Sequence, residues 1–152
     1  MTIENNLKKL NIELPKAPDP VGSYVAVAVA GDLIFISGQV SFNKDGKLIK
    51  GKIGKELNTE QGQEAAKYCA LNLLAQLKKA CNGNLDKVKK CIKITGYVNS
   101  IDTFIDQPKV INGASDLISN VFGEKGKHAR AAVSASSLPL GAAVEIEGIF
   151  QI

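Results

Sequence analysis

The sequence has no tryptophan, one histidine (His128) and one arginine (Arg130), and aromatic residues make up 5% of its 152 positions. So few stacking side chains, with no basic stripe interleaved among them, leave single-stranded nucleic acid without a platform, and RNA is the weakest of the partners considered. The three cysteines, Cys69, Cys81 and Cys91, are odd in number and form no CxxC pair, a pattern that suits free thiols in a reducing compartment rather than a disulfide framework. No apolar run approaches the length of a membrane span. Met1 to Leu14 interrupts its apolar residues with Glu4, Lys8, Lys9 and Glu13, so it holds no h-region of a secretory signal. The expectation is a cytoplasmic protein with no membrane partner.

Hydrophobic residues, at 45% of the chain, suffice for one buried core, and the length allows one domain spanning 1–152. The 19 basic and 15 acidic residues leave a net charge of +4, spread as scattered lysines, which favours solubility more than binding to a polyanion. Where lysine supplies nearly every positive charge, a lone arginine stands out. Arg130 either sits where a planar, bidentate guanidinium is needed or pairs with a structural carboxylate and packs its stem.

Pro15, Pro18 and Pro20 predict an irregular segment over residues 1–20. Tyr24 to Ala30 and Leu33 to Ser37, joined by Gly31-Asp32, read as a β-hairpin. Residues 43–58, with Asp45-Gly46, Gly51 and Gly54, read as an excursion with room for a short hairpin of its own. Asn58 with Gln61 resembles a capping box, and Ala66, Ala70, Leu73, Leu77 and Ala80 repeat at helical spacing up to Asn82-Gly83. Val88 to Val98 alternates as a half-buried strand, with Tyr97 among its polar positions. A second helix opens near Pro108, carries Val110, Ile111, Ala114, Leu117, Ile118 and Val121 on one stripe, and stops at Gly123. Strands over about Ala129 to Ala135 and Ala143 to Phe150 complete the order ββαβαββ. That order fits an α+β, two-layer architecture, a mostly antiparallel sheet with two helices on one face.

The period of two sorts the last strands. Arg130, Ala132 and Ser134 share one face of the first, and Glu145 and Glu147 share one face of the second. Were these strands paired, a guanidinium and a carboxylate would face one cleft, either as a clamp for a substrate carboxylate beside a group that activates water, or as a structural salt bridge.

Gly22-Ser23-Tyr24 with Ser37-Gly38-Gln39, Asn112-Gly113-Ala114-Ser115-Asp116-Leu117, Ala129-Arg130-Ala131-Ala132-Val133, and Leu138-Pro139 through Val144-Glu145-Ile146-Glu147 occur in the order found in the RidA/YjgF family. From about residue 20 onward the chain resembles that family, most of all its longer branch, often labelled an endoribonuclease with a chorismate mutase-like fold. The resemblance implies a homotrimer with ligand sites in the clefts between subunits, binding small 2-imino or 2-keto acids. By position, Arg130 would grip the substrate carboxylate and Glu145 would hold the hydrolytic water. Tyr24, Ser37, Gly38, Asn112 and Ala132 would line the pocket. The implied reaction is hydrolysis of 2-enamine or 2-imine acids such as 2-aminoacrylate to 2-keto acids and ammonia, with no metal or organic cofactor. Ala132 stands where the archetype has cysteine, Ser23 replaces the usual proline before Tyr24, and the enlarged loop from Phe42 to Asn58 is positioned to reshape or cover the cleft.

Each singled-out residue also has a plain structural alternative. His128 serves acid-base work or a turn-adjacent hydrogen bond; Tyr24 and Tyr97 stack on a ligand or pack with a polar tip; Gly38 permits a bulge; Asn112 hydrogen-bonds within the second helix region. Three functions compete: an imine deaminase, a non-catalytic trimeric binder of keto or imino acids with a regulatory role, and an RNA-cleaving inhibitor of translation.

Overall fold

The alternating segments and the two apolar helical stripes meet in one hydrophobic core, in a computed structural model that describes residues 1–152. Five strands, β1 (Val27–Ala30), β2 (Leu33–Val40), β3 (Lys90–Asn99), β4 (Ala129–Ala135) and β5 (Val144–Gln151), form a sheet in the order β1-β2-β5-β3-β4. All neighbours are antiparallel except β3 and β4, which run parallel. Ile34, Ile36, Ile94, Val98, Val144, Ile146 and Phe150 are buried between the sheet and the long helices, α2 (Thr59–Ala80) and α3 (Gln107–Phe122).

Local signals set the helix ends. Asn58 and Gln61 form a reciprocal capping box at the start of α2, and beyond its end Asn82 and Gly83 take positive φ. α3 has Pro108 in its first turn and ends at Gly123, with φ of 61°. The two helices touch backbone to backbone at Gly113, where any Cβ would overlap the carbonyl of Gln63. Gly96 in β3 similarly leaves room for Ile111 of α3, seating that helix low on the sheet.

Beyond β1, which starts at Val27 and not at Tyr24, the structure corrects the sequence reading in three places. Residues 1–20 are not wholly irregular, because Ile3–Lys9 forms a third helix, α1, ahead of the prolines. Thr2 caps it by accepting from the Asn5 amide, Glu4 and Lys8-Lys9 complement the dipole, and Leu7 is buried against the core. Asn6 Nδ2 donates to the carbonyls of Asn120 and Val121, tying α1 to the end of α3. In β3, a bulge between Cys91 and Lys93 buries Cys91 and leaves Ile92 half-buried, so the strand begins at Lys90 and Val88 belongs to the preceding turn.

The third correction bears on chemistry: the last two strands do not pair. β5 lies between β2 and β3, and β4 is a parallel edge strand on the far side of β3. The connection from β4 to β5 must therefore cross over β3, which a tight hairpin cannot do. The 43–58 excursion supports that crossover. A small hairpin closes with the Phe42–Leu48 bridge, and further bridges pair Lys50 with Ala142 and Ile53 with Ser100. Lys52 Nζ donates to Asn99 Oδ1 (2.9 Å) and to the Ser136 carbonyl. The loop buttresses the 136–143 turn, and its first residue, Phe42, lines the cleft that holds Glu145.

The three thiols are buried core groups, and burial pushes Cys91 up to about 12. No helix is long and apolar enough to cross a membrane.

Candidate functional site

The site residues anticipated from sequence fall into two clusters. Tyr24, Ser37, Gly38 and Glu145 line one cleft of about 530 Å3, together with Pro20, Val21, Pro139 and Leu140. A register shift between Ile36 and Gln39 places Ser37 and Gly38 in a bulge of β2, as the lone glycine at a strand end suggested. The Ser37 hydroxyl donates to the Val25 carbonyl (2.7 Å), and the Tyr24 hydroxyl accepts from the Val21 amide (3.4 Å). Both side chains therefore brace the loop that walls the cleft.

Glu145 sits between Val144 and Ile146, which are buried under the helices, so strand alternation directs its side chain to the other face. Its carboxylate lies over Gly38, where a Cβ would overlap Oε1. Partial burial, and then the nearby Glu147 carboxylate, hold Glu145 above the usual carboxylate range. Glu147 is differently occupied. Its Oε1 accepts from the Tyr97 hydroxyl (3.0 Å), and that hydrogen bond raises the tyrosine.

The second cluster gathers on Arg130. By register Arg130 pairs with Ile94, whose side chain is buried beneath the helices, so the guanidinium lies on the helical side of the sheet. Nη1 donates to Asn112 Oδ1 (2.8 Å) and Ser115 Oγ (3.2 Å), and Nη2 to the Pro108 carbonyl (3.4 Å), all on α3. Asn112 thus sits inside α3 and faces Arg130. Ala132, opposite Gly96, packs partly buried on the same face of β4.

His128 is hydrogen-bonded at both nitrogens, to the Gly126 carbonyl from Nδ1 (2.6 Å) and to Ser115 Oγ from Nε2 (2.9 Å). A carbonyl only accepts, so Nδ1 carries the proton; in the neutral ring Nε2 accepts from the Ser115 hydroxyl, whose lone pairs then receive Arg130. The resulting chain from Arg130 through Ser115 to His128 fixes the guanidinium from behind. Ser115 was singled out only as part of a motif, although its spacing of three residues from Asn112 on a helix places both on one face.

None of the chain's three ion pairs involves Arg130. Its acceptors are all neutral, so the structural salt bridge weighed from sequence is not formed. Nor do Arg130 and Glu145 share a cleft within one chain: they lie two strands apart, roughly 10 Å sideways, and point to opposite faces. No group of three or more His, Cys, Asp or Glu side chains is arranged to hold a metal.

A family model described as "YjgF/chorismate mutase-like, putative endoribonuclease" matches residues 4–149. The chain is 43% identical to protein TCP17 of Trypanosoma cruzi over 97% of its own length and 92% of that protein's. Among solved structures it is similar to the protein Atu1372 of Agrobacterium tumefaciens, at 44% identity and TM-score 0.91, with 99% of this chain and 94% of that one covered. A structure from Shewanella oneidensis, titled a putative endoribonuclease, superposes with TM-score 0.95 at 31% identity over 100% of both chains. Further off, at 27% identity over 91% of this chain and 86% of the relative, is the 2-iminobutanoate/2-iminopropanoate deaminase of Rattus norvegicus.

Proposed function

The chain belongs to the YjgF/chorismate mutase-like family, and we propose that it hydrolyses 2-imino acids and their enamine tautomers to 2-keto acids and ammonia. The observation that carries this reading is the uncompensated Arg130 guanidinium, held by Asn112, Ser115 and a carbonyl with no carboxylate partner. A fixed cation without a counter-ion is a receptor for an anion, and a planar one matches a carboxylate. The rat relative's name supplies a substrate of that kind.

In this mechanism Arg130 grips the substrate carboxylate, and Glu145 takes a proton from water as its oxygen attacks the imine carbon. Bond formation moves the C=N pair onto nitrogen, which is protonated. As the carbinolamine hydroxyl gives up its proton, C=O forms and the protonated nitrogen leaves as ammonia, so one imino acid and one water give one keto acid and one ammonia. Partial burial of Glu145 keeps its basicity nearer to that of the groups it must serve.

Because Arg130 and Glu145 point to opposite faces of one sheet, a complete site requires Arg130 of one copy beside the Glu145 cleft of another. A trimer meets that need and covers the helix-free face, where Phe35 and Val133 are 40% and 45% exposed. Sedimentation should find three copies at micromolar concentration. A stable monomer would remove the composite site.

The direct test is ammonia release from freshly generated 2-aminoacrylate, expected well above the rate in buffer and matched one to one by pyruvate. Binding of keto acids with no release of ammonia would instead identify a non-catalytic binder. A subtler variant probes the carboxylate's seat: Gly38→Ala puts a methyl group where Glu145 Oε1 lies. It should slow hydrolysis by about tenfold or more while thermal unfolding shifts little, because the displaced atoms are the end of a flexible side chain.

A further inference from the structure

Three non-glycine residues have positive φ: Asn11, Asn82 and Leu140. Two are asparagines just past helix ends, where a short polar side chain tolerates the left-handed region. Leu140, at φ 61° and ψ 10°, is the exception. A leucine there costs free energy that glycine or asparagine would save, so something other than the backbone selects it.

Neither the turn nor the core explains it. Gly141 follows at φ 76°, and the bonds that close the turn run between backbone atoms, Gly141 N to Leu138 O (3.0 Å) and Ala142 N to Pro139 O (3.1 Å). Leu140 is 68% exposed, so it contributes little to the core. Its position is nevertheless firm, since the excursion loop braces the turn through Gly51 N to Gly141 O (3.1 Å) and through Lys52. The side chain lines the Glu145 cleft, whose rim also holds Val21 (89% exposed) and Tyr24 (51% exposed).

We infer that Leu140 is a specificity-determining residue of the site, selecting 2-imino acids with a large aliphatic or aromatic side chain over three-carbon substrates. The inference rests on the reading under Proposed function. With the substrate carboxylate on Arg130 and the attacked carbon facing Glu145, the remaining substituent is the side chain. The cleft around Glu145 offers it an apolar lining that includes Leu140, Tyr24, Val21, Phe42 and Pro139. Within one chain that cleft is open at the surface and leaves space beside Glu145 for a substituent larger than the methyl group of pyruvate.

Calorimetric titration of pyruvate, 2-ketobutyrate, 4-methyl-2-oxopentanoate and phenylpyruvate into wild type, Leu140→Gly and Leu140→Asn tests this, with unfolding temperature and sedimentation measured on each. Wild type should bind the two larger acids at least tenfold more tightly than pyruvate. Both variants should shrink that ratio by about tenfold, chiefly through the larger acids, and should melt no lower than wild type because the left-handed backbone is relieved. A wild-type preference for pyruvate, a ratio unchanged in the variants, or dissociation of the assembly, which would make Leu140 an interface residue, would each overturn the inference. Failure of wild type to bind any of the four acids would overturn the deaminase reading, and this inference with it.

Discussion

Glu145→Gln is expected to lower imine hydrolysis by about a hundredfold or more, the usual scale for a positioned acid-base group, while affinity for 2-keto acids stays within a few-fold. The amide is nearly isosteric with the carboxylate above Gly38 and still hydrogen-bonds, but it cannot take a proton from water. The pH dependence carries a sign. Burial and Glu147 raise Glu145, so its ionised, basic form disappears as pH falls through a value above the ordinary 4.5. Wild-type activity should therefore have an acid limb displaced upward, and the residual rate of Glu145→Gln should lack it. Stability has the opposite dependence. A raised folded-state value means that folding favours the protonated carboxyl, a contribution present below the unfolded value and lost as pH rises through the folded one. At neutral pH Glu145 brings no such stabilisation, and the glutamine variant should melt no lower than wild type. Glu147→Gln is the control, since it keeps an acceptor for the Tyr97 hydroxyl and removes the second cause of the Glu145 shift. Its acid limb should move down with the plateau rate kept. Equal rates in wild type and Glu145→Gln, with the assembly intact, would refute the role given to this carboxylate.

The ends of α2 and α3 and the facing of the strand residues are legible because their signals are local. The Asn58–Gln61 box, the Gly123 stop and the alternation of Val144 to Phe150 each depend on neighbours a few residues apart. The proline cluster does not reveal α1, because Pro15 restrains only the residues next to it and Ile3–Lys9 lies well ahead of it. Strand order was not legible. That β5 inserts between β2 and β3 depends on which edges the crossover reaches, and alternation is the same whichever neighbour a strand takes.

The candidate site shows the same division. Which side chains share a strand face could be read from parity, so Arg130 with Ala132, and Glu145 with Glu147, were grouped correctly. Whether those two faces meet depends on pairing, and they do not meet within one chain. His128 makes the turn-adjacent hydrogen bond its position suggests, but its link through Ser115 to Arg130 was not legible, because a hydrogen-bonded chain across α3, a turn and β4 has no signature in any one segment.

Arg130→Lys is expected to weaken 2-ketobutyrate binding by about 1–3 kcal/mol, the worth of a hydrogen bond to a charged group, or roughly 5- to 150-fold in Kd. Charge alone would predict almost no change, so the size of the effect reports geometry. In wild type two nitrogens of the guanidinium are anchored on Asn112, Ser115 and the Pro108 carbonyl, and the planar fork retains further N–H donors. An ammonium has three donors around one atom. Meeting the same neutral acceptors would exhaust them, and turning toward a ligand would leave Asn112 and Ser115 unpaired. Either arrangement loses the bidentate grip. Folding should be affected far less than binding, because no ion pair is broken and the lysine stem still covers the same part of β4. Calorimetry and thermal unfolding on the same samples separate the two. Affinity unchanged within error would show that Arg130 serves the fold, whereas an equal fall in affinity and in stability would trace the loss to a disturbed α3–β4 contact and not to the ligand.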